Sequence, residues 1–129
     1  MTADYSGKPL LEKLGYQTGD KVYLHNPPQW FVRELTAHGI LSNSTLPTTW
    51  AHLFVKNKQD LRQLIDHLAL DKVQKAIWLS WPKQASKIPT DVSEQTLRDV
   101  LLPLGWVDIK VAAVDETWSG LKFTRRKMT

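Results

Sequence analysis

Residues 107–126 read VDIKVAAVDETWSGLKFTRR, from Val107 to Arg126. Two strand-like runs flank a polar turn, Asp115-Glu116-Thr117-Trp118-Ser119-Gly120. A crossover between parallel strands needs a dozen residues or more, so this connection is too short for one. The two runs therefore pair as an antiparallel hairpin. What the hairpin attaches to decides the fold.

Upstream, strand and helix patterns alternate. Residues 7–14 suit a short helix with Pro9 in its first turn and Gly15 as its stop. Lys21 to His25 alternates as a strand and halts at Asn26-Pro27-Pro28. A helix follows over Gln29 to His38, then a short strand at Ile40-Leu41 and a Ser/Thr/Pro-rich loop over Ser42 to Thr49. Trp50 to Lys56 is a strand, and Asn57 to Leu70 a helix with Leu61, Leu64, Ile65 and Leu68 in one stripe. Ala76 to Trp81 is apolar on both faces, as a covered central strand is. After the loop Pro82 to Thr90, Asp91 with Glu94 predicts a capping box for a helix carrying Leu97, Val100, Leu101 and Leu104. Pro103 weakens its end and Gly105 stops it.

This alternation predicts a three-layer, Rossmann-like α/β fold, a mostly parallel sheet with the antiparallel hairpin at its C-terminal end. Residues 1–129 read as a single α/β domain, with no repeat, low-complexity tract or linker to divide them.

Hydrophobic content of 42% and charged content of 23% are those of a globular protein. No apolar run approaches the ~18 residues of a membrane span, and the first residues lack a signal pattern. A cytoplasmic location is expected. The chain has no cysteine, which excludes disulfides and thiolate metal sites. The net charge of +4 comes from dispersed lysines and reads as a mildly basic surface. Nucleic-acid binding is disfavoured, and Arg125-Arg126-Lys127 reads as a solvated tail. His25, His38, His52 and His67 are too scattered for a metal site. Glycine-rich phosphate motifs are lacking as well.

Open α/β sheets bind ligands beyond the carboxyl ends of their strands. Lys56 and Asn57 follow a strand there and are assigned no role. Chain order brings His25 and Asn26, Trp81 and Lys83, and the hairpin residues Asp115, Glu116, Trp118, Ser119 and Lys122 to that rim. These are the candidate ligand-binding residues. Trp81 and Trp118 offer stacking, and Lys83 and Lys122 offer charge to a small anionic ligand. Each also has a plainer reading. Trp118 packs back on the sheet edge, Lys83 pairs with Asp115 or Glu116, and the two acids are ordinary turn residues. No catalytic residue is assigned, because Ser119 has neither a histidine nor an acid at motif spacing.

Further features resemble a known family. Tyr5-Ser6-Gly7, Pro9-Leu10 and Lys13-Leu14-Gly15 resemble its N-terminal signature, and Trp81-Pro82-Lys83, Ser86, Thr90-Asp91, Glu94 and Val107 to Val111 its middle. Ala113 to Phe123 resembles its most distinctive stretch. The family is the small bacterial one catalogued as domain of unknown function three-zero-five-two. The resemblance implies a bacterial single-domain protein and supplies no reaction, cofactor or catalytic residue. The architecture is also similar to S-adenosylmethionine-dependent methyltransferases. That fold binds its cofactor at a glycine-rich turn after the first strand and at an acid ending the second. Here His25-Asn26-Pro27-Pro28 replaces the glycines, and no acid follows Ile40-Leu41. The resemblance implies a reduced methyltransferase-like relative without that cofactor site. The leading expectation is a small-ligand-binding or regulatory domain. A divergent methyltransferase and a protein- or nucleic-acid-interaction module are the alternatives, with cofactor and oligomeric state left open.

Overall fold

The computed structural model describes residues 9–126. Its centre is a six-stranded sheet of β1 (Lys21–His25), β2 (Leu41–Asn43), β3 (Thr48–Phe54), β4 (Val73–Pro82), β5 (Trp106–Ala113) and β6 (Trp118–Arg125). The strands lie in the order β2-β1-β3-β4-β6-β5. The first four run parallel. The last strand, β6, inserts between β4 and β5 and is antiparallel to both. The expected fold class is therefore observed. The hairpin does not hang from the sheet by its first strand; the returning strand docks, and β5 becomes the edge.

Four helices cover the two faces: α1 (Leu10–Leu14), α2 (Gln29–Ala37), α3 (Lys58–His67) and α4 (Glu94–Leu101). Alternation along β4 feeds both layers. Ile77, Leu79 and Trp81 pack with Leu61 and Leu64 of α3 and Leu97 and Leu101 of α4. Trp78 packs on the other face with Leu11 and Leu14 of α1 and Phe31 and Leu35 of α2. Trp50, Trp78 and Trp106 are all fully buried or nearly so. Each such indole removes roughly 150–250 Å² from water, so the tryptophans dominate the core.

Several expected boundaries move. Gly7 and Lys8, in the expected first helix, lie outside the described residues. Thr48 and Thr49, expected in a loop, begin β3, while Val55 and Lys56 fall beyond its end. Helix α3 ends at His67, and a 3-10 turn at Leu70–Lys72 leads into β4. The expected capping box on Asp91 and Glu94 is replaced. Ser93 caps α4, its hydroxyl accepting from Thr96 N–H at 3.3 Å while Thr96 Oγ1 accepts from Ser93 N–H. Asp91 instead accepts from Lys58 N–H at 2.8 Å, at the start of α3. Glu94 pairs with Arg98 one turn along its own helix. Leu104 leaves the apolar stripe because a 3-10 turn over Leu102–Leu104, with Pro103 in it, turns it outward.

Candidate functional site

Strand order reverses between β1 and β3. From β1 the chain moves outward through α2 to β2, then returns to lay β3 on the other side of β1. Such a switch point leaves a crevice at the carboxyl ends of the two strands. A cleft of about 330 Å³ lies there. Asn26, Pro27 and Pro28 form one wall, the aromatic floor is the edge of Trp118 with the buried Phe54 behind it, and Lys56 and Asp60 supply opposite charges.

Local sequence explains each part. Asn26 adopts φ +50, which Asn tolerates better than most residues, and so turns the chain out of β1. Pro28 is then the N-cap of α2 without donating a hydrogen bond. Asn57 caps α3 by accepting from Asp60 N–H at 2.7 Å, which sets Asp60 in the first turn beside the cleft. His25 Nε2 lies 3.2 Å from Asn26 Nδ2 and 3.5 Å from Asp60 Oδ1. Trp118 is packed, 8% exposed, with its ring edge-on to Phe54 at 5.1 Å.

The hairpin turn is built by its own acid. Asp115 Oδ1 accepts from Thr117 N–H at 2.8 Å and Trp118 N–H at 2.7 Å. Lys83 does not pair with a turn carboxylate. Its ammonium donates to the Asp115 carbonyl at 2.6 Å, and its N–H donates to the Thr117 carbonyl at 2.8 Å. Lys83 is thus a clamp tying the turn to the end of β4. Asp115 and Glu116 line a larger cleft of about 570 Å³, against Leu10, Trp30 and Glu34 on the α1–α2 face.

The remaining candidates lie elsewhere. Ser119 pairs with Trp81 across β6 and β4. Trp81 belongs to the α3–α4 core and borders a third opening, with Thr90 and Arg98. Lys122 is expected on the rim but stands in mid-strand, over the ring of Trp50 at 4.9 Å. The topology therefore gathers His25, Asn26 and Trp118 at one cleft and Asp115 and Glu116 at the next. It separates Trp81, Ser119 and Lys122 from both. The basic end is used internally. Arg125 donates to the Leu70, Asp71 and Val73 carbonyls and lies 4.8 Å over Trp106. Lys127 lies outside the described residues.

Sequence reasoning put Lys56 at a strand end on the rim without assigning it a role, and missed Phe54 and Asp60 as neighbours of the cleft. It also missed a buried polar chain. His52 is wholly buried, with Nδ1 2.9 Å from the Tyr16 hydroxyl and Nε2 2.7 Å from Ser80 Oγ. Burial lowers the His52 pKa to about 3 and raises that of Tyr16. The trio resembles a nucleophile relay only in composition, because Ser80 is also fully buried and no substrate reaches it. The strand TTWAHLF signals this: in a strand covered on both faces, a histidine between apolar residues has to be buried.

Solved structures of similar shape include methyltransferases and a protein of the NADB-Rossmann superfamily. A Streptococcus agalactiae protein in the NADB-Rossmann superfamily has a TM-score of 0.56 at 11% identity, covering 98% of this chain and 72% of that one. TrmK from M. capricolum, solved with S-adenosyl-homocysteine, has a TM-score of 0.59 at 6% identity, covering 92% and 68%. Magnesium protoporphyrin IX methyltransferase from Synechocystis PCC 6803, with bound SAM, has a TM-score of 0.57 at 11% identity, covering 90% and 74%. At these identities the likeness is one of fold. No curated protein matches the chain. The family shown is not the one named from the motifs, although it too is a domain of unknown function. Residues 53–129, more than half of the chain, match the family described as Domain of unknown function (DUF8412), and the chain belongs to that family.

Proposed function

We propose that residues 1–129 act as one small-ligand-binding or regulatory domain, with the ligand in the switch-point cleft between β1 and β3. The observation that carries this reading is the position of that cleft. It opens where parallel α/β sheets bind ligands, and its 330 Å³ falls in the usual range for small-molecule sites. Trp118 offers a narrow aromatic edge to an apolar or planar group, with Phe54 packed behind it. Lys56 is the cation beside them and suits a small anionic group, while Asn26 and Asp60 supply polar contacts. His25, with Nε2 3.5 Å from Asp60 Oδ1, adds a further polar group beside them. Asp115 and Glu116 border the neighbouring cleft and extend the same rim.

The test is a thermal-denaturation screen against planar aromatic carboxylates, repeated on Lys56→Gln. A midpoint rise in the parent that is lost in the variant supports the reading. A rise equal in both removes Lys56 from the site.

A second reading is a divergent S-adenosylmethionine-dependent methyltransferase. It is favoured by the fold likeness to proteins solved with SAM or S-adenosyl-homocysteine. Against it stands the β1–α2 turn. Asn26, Pro27 and Pro28 place side chains where a glycine turn lets backbone approach a nucleotide closely. Equilibrium dialysis with S-adenosylmethionine separates the two. Failure to bind at millimolar concentration ends the methyltransferase reading and leaves the first intact.

A further inference from the structure

Lys75 and Lys122, from β4 and β6, lie over the ring of Trp50, and Lys110 of β5 stands opposite Lys122. Lys75 Nζ lies 5.1 Å and Lys122 Nζ 4.9 Å from the ring centroid, so the two are no farther apart than the sum of those lengths. Two irregular registers bring this about. From Val73 to Ala76, β4 runs one residue longer than its partner stretch Thr48 to Trp50, which places Lys75 in the bulge beside Trp50. From Asp108 to Lys110, β5 runs one residue longer than the stretch Phe123 to Lys122. In a regular register Ile109 would face Lys122; the bulge puts Lys110 there instead. Bulges re-aim side chains in this way.

The result is a concentration of positive charge, with the Asp20 carboxylate held at the indole N–H of Trp50 and, among the described residues, not paired with a lysine. Like charges directly opposite on paired strands destabilise a sheet. Among the described residues none of the three ammonium groups makes an ion pair. Lys110 donates to the Lys13 carbonyl at 2.8 Å, which orients it but does not neutralise it. Lys122 is half-buried, and its pKa is lowered by burial, then by Lys110 and Lys75. The platform beneath is fixed, because Trp50 Nε1 donates to Asp20 Oδ2 at 3.0 Å. Its ring attracts each of the two ammonium groups by a cation–π contact.

We propose that Lys75, Lys110 and Lys122 form a receptor for a phosphate-bearing anion, supplied as a free oligophosphate or as a nucleic-acid backbone. Several converging ammonium groups match an anion with several charged oxygens, and lysines bind phosphate as point charges. The receptor is distinct from the switch-point cleft. Trp50 and Phe54 are four residues apart on β3, on the order of 13 Å along the strand.

The experiment titrates the full chain, at low salt, with sodium tripolyphosphate and separately with a labelled single-stranded oligonucleotide. Thermal midpoint and fluorescence anisotropy are the readouts. Affinity for at least one is expected to weaken at least about tenfold in Lys75→Gln/Lys110→Gln, whose altered side chains are both exposed. Lys122→Gln is expected to raise the midpoint of the free protein, by removing repulsion, while abolishing the ligand-induced rise. Tighter hold on the oligonucleotide at equal phosphate concentration assigns a nucleic acid; the reverse assigns a free oligophosphate. No midpoint change with either anion at millimolar concentration overturns the proposal, as does an effect that is undiminished in the double variant.

Discussion

His52 Nε2 and Ser80 Oγ lie 2.7 Å apart between neighbouring central strands, with both side chains fully buried. Tyr16 completes the chain at Nδ1. A neutral imidazole has one donor and one acceptor nitrogen, and either tautomer satisfies both hydroxyls. An imidazolium would be stranded between Phe54, stacked at 4.5 Å, and Trp78 at 6.2 Å. The folded pKa of about 3 lies below the ordinary histidine value of 6.5. Between these values the unfolded chain binds a proton that the folded chain refuses. Stability is therefore intact above pH 6.5 and falls as the pH drops toward 3. The loss from this group approaches on the order of 5 kcal/mol. Urea denaturation from pH 7 to pH 4 is expected to show that slope, and His52→Phe is expected to flatten it. The variant is also expected to be less stable at pH 7, by about 2–4 kcal/mol, because Tyr16 and Ser80 lose their partner.

Gly120 is required by its neighbours. A methyl group there would meet Trp78 Cε3 at 3.1 Å and Val114 Cγ2 at 3.3 Å. Trp78 cannot swing away freely, since its Nε1 donates to the Leu14 carbonyl at 2.9 Å. Gly120→Ala is expected to cost about 1–3 kcal/mol by overpacking. Thermal denaturation would register this as a lowered midpoint, and an unchanged midpoint would mean that the packing around Trp78 is looser than described.

The Asp115 carboxylate shapes the hairpin turn through two backbone N–H groups. Asp115→Asn keeps a side-chain oxygen acceptor, whereas Asp115→Ala removes it. The alanine variant is expected to lose about 1–2 kcal/mol and the asparagine variant less. Equal losses in chemical denaturation would assign the effect to charge instead of to the turn.

Asp91 works at a distance of sequence, accepting from Lys58 N–H at the start of α3. Asp91→Ala is expected to cost about 1 kcal/mol, the usual worth of a helix cap. Amide exchange at Lys58 is expected to quicken, since its N–H loses that acceptor. Quickening confined to α4 would restore the expected role of Asp91 as the cap of that helix.

The layers were legible in the sequence because their signals are local. The Leu61–Leu64 stripe marks α3, the two-sided apolar run of Ile77 to Trp81 marks a central strand, and the short turn after Val114 forces a hairpin. Features set by distant pairing were not legible. Nothing near β6 states that it enters between β4 and β5. Neither does a local pattern reveal the extra residues at Lys75 and Ile109, whose bulges exist only relative to a partner strand. Lys122 was misplaced because its turn lies on the rim while it lies four residues inward, against Trp50. The rim itself followed from topology, so Asn26 and Trp118 were found. Lys56 also lies at a strand end on that rim, but Asp60 was not legible, because its approach depends on where α3 begins behind β3.

The most direct measurement is backbone NMR shift mapping of the protein with 1-naphthoate, a planar aromatic carboxylate. Binding in the switch-point cleft is expected to move the amides of Asn26, Gln29, Lys56, Asp60 and Trp118, with smaller changes when Lys56 is replaced by Gln. Shifts confined to other surfaces, or none at millimolar probe, would contradict a ligand site between β1 and β3.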